Sequence, residues 1–222
     1  MIQGTVMLVY EQIEDILFKS ALDAYDRYID WTGGDAAHDA GAESLITTRI
    51  AERIVGTEEG GHVLCDAPFL KFRKQALRGN RKPRRGKSDQ GRLGILLFNR
   101  RNQAIVAVEV KRSFTFSNIR GDIEKLKTLL LRHGHLRSSS FKAGYVVGIR
   151  ELNEGQMTSS REIAKAIERR VQKLRGMDRI YVKSRVSRLK RRQISYSSGG
   201  RRTRIEGFQA VVIRLTLRRP RS

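Results

Sequence analysis

Two charged residues spaced two apart, Glu109 and Lys111, follow directly on the apolar run Ile105-Val106-Ala107-Val108. Side chains two apart on a β-strand share one face, so the acid and the amine point the same way. The end of a buried strand is a costly place for either charge without a partner. An isolated Glu-x-Lys usually marks an exposed sheet face or a structural ion pair, because so short a pattern recurs by chance. The surroundings of this one make it a candidate for chemistry. A hairpin and a basic loop precede it, and a helix and a second buried strand follow.

The elements that position the pair are legible from periodicity. Residues 93–98 and 104–110 are apolar runs separated by Asn99-Arg100-Arg101-Asn102-Gln103, a polar turn of hairpin length. The second run is β-branched and apolar on both faces, which predicts a buried central strand. Residues 119–133 predict a helix with Ile123, Leu126, Leu130 and Leu131 on its apolar side and Asp122 and Glu124 in its first turn. Residues 143–149 read as a strand and 159–174 as a helix. Upstream, 10–28 has a helical period, and 42–55 is a second helix striped by Ala42, Ile46, Ile50 and Ile54. A short strand is expected within 62–72. The tail, 180–222, reads as two long strands (181–194 and 208–217) joined by a Ser/Gly/Arg-rich loop. The class is α/β with a basic β appendage.

The stretch 91–111, GRLGILLFNRRNQAIVAVEVK, resembles the PD-(D/E)XK nuclease superfamily, and residues 42–150 are similar to its α-β-β-β-α-β core. The resemblance implies a restriction-endonuclease-like fold with a mixed central sheet, an N-terminal helix and a basic C-terminal β-hairpin. It divides the chain into 1–41, an N-terminal helix and linker; 42–178, the nuclease core; and 179–222, the basic extension. It further implies that Glu109 binds Mg²⁺ (or Mn²⁺), that Lys111 positions or activates the attacking water, and that a glutamate of the first core helix assists. These residue types suit the chemistry. Hard carboxylate oxygens hold Mg²⁺, which keeps several waters and takes substrate phosphate oxygen. Such an ion generates a nucleophile near neutral pH and stabilises in-line displacement.

One position departs from the family pattern, which reads Gly-Arg-x-Asp and would put an aspartate where this chain has Gly94. The nearest acid is Asp89, five residues earlier. If the hairpin pairs symmetrically about Arg100 and Arg101, Asp89 falls opposite the neighbourhood of Lys111. It is then either a second metal ligand or an offset for the adjacent Arg and Lys. For the helical glutamate, wheel geometry selects Glu43. At about 100° per residue it shares the side of Ile46, Ile50 and Ile54, whereas Glu52 lies about 180° from it. The competing role for Glu43 is a carboxylate favoured by the helix dipole.

Other patterns fail. Gly86-Lys87-Ser88 lacks the first glycine of a P-loop, since Arg81 stands there and no apolar strand leads in. His133 and His135 suit a helix C-terminus better than a zinc site. Ser138, Ser139 and Ser140 have no recognisable general base. The single cysteine, Cys65, excludes an internal disulfide and a cysteine-rich metal site.

Charge defines the partner. The chain carries +22, with four basic and thirteen acidic residues through Asp66 and forty-one basic and ten acidic from Ala67 onward. Such a field favours a polyanion, and nucleic acid over anionic membrane, because no basic segment carries a sustained apolar helix face. Residues 71–87 hold nine basic residues in seventeen and no acid, and within them Arg81, Lys82, Arg84, Arg85 and Lys87 lead toward Glu109. Lys190, Arg191, Arg192, Arg201, Arg202 and Arg204 cluster at the tip of the tail hairpin. A long basic ribbon can follow a duplex groove or its phosphates.

The expectation is a cytoplasmic, Mg²⁺-dependent endonuclease acting on nucleic acid, double-stranded DNA before RNA, without membrane association. Cutting both strands of a duplex would call for a homodimer or a partner subunit. The alternative is a catalytically degenerate nuclease fold that serves as a nucleic-acid-binding module, and Gly94 is the feature that favours it.

Overall fold

The computed structural model describes residues 2–33, 41–56, 62–68, 72, 92–99, 101–134, 140–153, 155–156, 158–198 and 201–218. They form a mixed seven-stranded sheet with helices on both faces. In chain order the elements are α1 (Ile2–Trp31), α2 (Gly41–Val55), β1 (Val63–Pro68), β2 (Arg92–Phe98), β3 (Ala104–Ser113), α3 (Phe116–Leu129), β4 (Ala143–Leu152), α4 (Ser160–Gln172), β5 (Ile180–Val186), β6 (Lys190–Ser198) and β7 (Arg201–Leu217). A π-helical turn, Leu130–Gly134, continues α3. The sheet order is β1-β2-β3-β4-β7-β5, and β6 also pairs with β7.

The strand β3 is central, as its two apolar faces predict. It pairs antiparallel with β2 and parallel with β4. One face contributes Val106, Val108 and Val110 to a core shared with Leu17, Ala21 and Tyr25 of α1 and the Ala42, Ile46, Ile50 and Ile54 stripe of α2. The other contributes Ala107 to a core with Ile119, Ile123 and Leu126 of α3 and Val146 of β4. The β2–β3 turn is closed by Asn99, whose Oδ1 accepts from the backbone N–H of Gln103 at 3.0 Å, while Asn102 takes the left-handed conformation at φ 56°. An asparagine tolerates that region better than a bulkier residue.

Two expectations about element boundaries are corrected. Helix α3 starts at Phe116, not at 119, because Thr115 caps it: its φ and ψ are −117° and 153° and its hydroxyl accepts from the Asn118 N–H at 3.3 Å. Asp122 therefore lies one turn deeper than a first-turn dipole partner. The tail is also not a hairpin standing off the sheet. The strand β7 inserts between β4 and β5, with Tyr145 opposite Arg214 on one side and Val182 opposite Leu215 on the other. Phe208, Ala210, Val211, Val212, Ile213 and Leu215 are all buried. Only β6 and the first part of β7 form an arm, paired from Arg191 with Gly207 to Ser198 with Arg201.

Candidate active site

Glu109 and Lys111 lie on the last half of β3, against α3. Glu109 is 6% exposed, and its Oε1 accepts from Lys125 Nζ at 2.7 Å. Its Oε2 lies 3.4 Å from the backbone N–H of Gly94. Lys111 Nζ lies 3.2 Å from Oδ2 of Asp122, and Lys125 Nζ lies 3.7 Å from Oδ1 of the same carboxylate. Lys125 and Asp122 are one turn apart on α3, so that helix presents an acid and an amine to the acid and the amine of β3. Lys111 also feels Glu43 of α2, and the two line a cleft of about 370 Å³ with Arg112, Ser113 and Asn118. The expected helical glutamate is thus beside the expected lysine.

The protonation balance follows from burial and neighbours. Burial pushes the Glu109 carboxyl above its usual range; the Lys125 ammonium and the Gly94 N–H oppose that rise, and Asp122 adds to it. For Lys111 burial works the other way, drawing the ammonium down. Asp122, Glu43 and Glu109 together outweigh it and hold Lys111 above its ordinary value. Lys111 is therefore a cation and a hydrogen-bond donor near neutral pH, not a free base.

Two glycines let the backbone close around the pair. Continuing the β2–β3 register by one residue sets Gly94 opposite Glu109. A Cβ on Gly94 would meet the Val108 carbonyl oxygen at 2.9 Å and the Val110 nitrogen at 3.4 Å. Leu93 and Ile95, which regular alternation would put on one face, belong to opposite cores. The strand is therefore twisted at Gly94, where its N–H turns toward the Glu109 carboxylate. Gly148 faces Lys111 on β4, and a Cβ there would meet the Lys111 carbonyl oxygen at 2.8 Å.

Of the residues expected at the site, Glu43, Glu109 and Lys111 come together. Asp89 lies outside the described residues, as do Arg81, Lys82, Arg84, Arg85 and Lys87. The observed register does change the geometry assumed for Asp89, since it sets Arg92 rather than Asp89 level with Lys111. Asp122 and Lys125 were not anticipated. Their signal was present: on the α3 wheel Asp122 falls about 40° from Leu126 and about 20° from Leu129, inside the apolar arc. A carboxylate there is buried by construction.

Of the basic residues at the tail, Lys190 and Arg192 are not free cations. Lys190 Nζ lies 2.7 Å from Asp26, and Arg192 pairs with both Asp26 and Asp30 of α1. Arg191 is exposed. Arg201, Arg202 and Arg204 stand on the β7 half of the arm.

A divalent ion of the Mg²⁺ kind is commonly held by one or two carboxylates, the rest of its shell being water and phosphate oxygen. Glu109 and Asp122 fit that requirement as two buried carboxylates on facing elements, with the Lys125 ammonium between them. Among the described residues no group of three acidic, histidine or cysteine side chains is gathered for a metal. No helix among them is long and apolar enough to cross a membrane. No family model, no curated protein and no solved structure matches this chain.

Proposed function

We propose that this chain is a divalent-metal-dependent nuclease that hydrolyses phosphodiester bonds of nucleic acid, DNA first. The observation that carries the reading is the gathering of Glu109 and Asp122 around Lys111, which itself lines a cleft with Glu43, in a chain of net charge +22. The element order α2-β1-β2-β3-α3-β4, with β3 parallel to β4, resembles the α-β-β-β-α-β order of the PD-(D/E)XK core and supports the same reading.

When bound, Mg²⁺ or Mn²⁺ supplies activation of water near neutral pH and stabilisation of charge building on the phosphate. Glu109 would hold the ion from β3. Lys111, kept protonated, donates a hydrogen bond to the water or to a phosphate oxygen, and so orients the attack. Glu43, across the cleft, adds to the field that keeps Lys111 protonated and would accept a proton from the incoming water. The basic excess after residue 66 draws the polyanion in. Cleavage of plasmid and duplex oligonucleotides with Mg²⁺ or Mn²⁺, beside Glu109→Ala and Lys111→Ala, tests the reading. Unchanged activity in both variants refutes it.

A second reading is a nucleic-acid-binding module without hydrolysis. Two observations favour it: the backbone at Gly94 leaves no room for an acid, and Lys125 ties up the Glu109 carboxylate. It predicts salt-dependent DNA binding with no cut under any divalent ion.

A further inference from the structure

The strand β2 contributes no acid beside Glu109, and steric contact explains why. At the position level with Glu109, a Cβ would press on the β3 backbone at 2.9 Å. Glu109 turns instead toward α3, where Lys125 meets it. One turn before Lys125 stands Asp122, 8% exposed, with Oδ2 3.2 Å from Lys111 and Oδ1 3.7 Å from Lys125, so that the Lys125 ammonium lies between the two carboxylates. Two carboxylates are thus kept close at a buried strand end, where they repel, as the effect of Asp122 on Glu109 records. Two ammonium groups hold them there.

We propose that α3 supplies the second carboxylate of a divalent-cation site, with Asp122 and Glu109 as its protein ligands and Lys125 as the ammonium the ion displaces. The proposal rests on the metal-dependent reading above. Lys125 is suited to leave: its side chain is 31% exposed and flexible, and the carbonyl oxygen of Arg92, at 3.0 Å, already shares its ammonium. Lys111 is suited to stay, because it touches Asp122 and lines the cleft, joining the carboxylate pair to the place where a phosphate would lie. An acid and an amine from β3 and an acid and an amine from α3 make one unit, in which one amine is catalytic and the other is a counter-ion. The hairpin's first strand then needs no acid.

The test is calorimetric titration of the full chain with Mn²⁺, without DNA, after circular dichroism has shown each variant folded. Wild type binds Mn²⁺. Asp122→Asn and Glu109→Gln each weaken binding by about ten-fold or more. Asp89→Asn leaves it unchanged. Lys125→Met moves it the other way, to tighter binding, because the competing ammonium is gone and a buried carboxylate is left seeking a cation. Mn²⁺ binding that Glu109→Gln weakens and Asp122→Asn does not overturns the proposal and leaves the metal-dependent reading standing. So does a loss confined to Asp89→Asn. Unchanged affinity in Lys125→Met overturns the role given to that lysine. Wild type that binds no Mn²⁺ overturns both the proposal and the metal-dependent reading.

Discussion

Buried charge gathers on both faces of the sheet, and the two clusters are built differently. Under α1, Glu14 forms an ion pair with Arg214 of β7 at 3.0 Å and accepts a hydrogen bond from Arg185 of β5 at 3.2 Å. The side chains of Glu14 and Arg214 are 2% and 8% exposed. The Arg214 guanidinium lies 4.8 Å from the Tyr10 ring centre and that of Arg185 lies 5.0 Å from Phe18, so aromatic rings close the cluster. Burial also pushes the nearby Tyr145 hydroxyl above its ordinary value. Under α3, Glu109 and Asp122 face Lys111 and Lys125, whose side chains are 28% and 31% exposed, and Lys111 also lines the cleft shared with Glu43. In the first cluster Glu14 and Arg214 are sealed in, Arg185 closes the edge with its side chain 39% exposed, and the set joins α1 to the sheet. In the second, two carboxylates and two ammonium groups share one site, and Lys111 carries that site to the cleft.

Substitutions at Glu14, Lys111, Gly94 and the arm arginines break or sharpen that contrast. Glu14→Ala strands a buried guanidinium and should cost about 3–5 kcal/mol, lowering Tm on the order of 10 °C in a thermal melt. The protein that remains folded should cut DNA at the wild-type rate. Lys111→Ala should do the reverse, reducing cleavage by about 10²–10³-fold while shifting Tm only slightly. Gly94→Ala should destabilise by about 1–3 kcal/mol in urea unfolding, as overpacking does, because the Val108 carbonyl stands where the methyl must go. By the same contact, Gly94→Asp should fail to raise activity. Arg192→Ala, which removes a partly exposed pairing with Asp26 and Asp30, should cost less than about 1 kcal/mol. It should also change DNA affinity less than Arg191→Ala does in a filter-binding assay, since Arg191 is exposed and Arg192 is already neutralised.

Those pairings hold α1 to the β6–β7 arm, and they add an acid-side signature. Asp26 is lowered below its ordinary carboxyl value: burial alone would raise it, but hydrogen bonds and attraction from Lys190 and Arg192 prevail. A carboxyl depressed in the folded state stabilises above its unfolded value of 3.8 and loses that contribution as pH falls through the folded one. The Tm of wild type should therefore fall more than that of Asp26→Asn between pH 4 and lower pH.

What the sequence reveals of this architecture is what local pattern can encode. The β2–β3 hairpin, the central burial of β3, the α2 stripe and the side on which Glu43 faces all follow from periods of two and 3.6. Asp122 was legible too, as an acid inside an apolar arc, but placing the helix start at 119 instead of 116 turned it into an ordinary first-turn residue. Lys125 was not legible, because nothing local says that its ammonium reaches a strand sixteen residues back. The insertion of β7 between β4 and β5 is a pairing across some sixty residues, and the neutralisation of Lys190 and Arg192 joins residues 162 or more apart. Such contacts are set by the packing of the whole chain and leave no periodic trace.

The most direct measurement is single-turnover cleavage of a DNA duplex in Mg²⁺ by wild type and by Glu109→Gln, compared at equal folded fraction. Strand scission by wild type, together with its loss in the variant, is the result this account predicts. Equal rates for the two proteins, or no scission by wild type with Mg²⁺ or Mn²⁺, would contradict it.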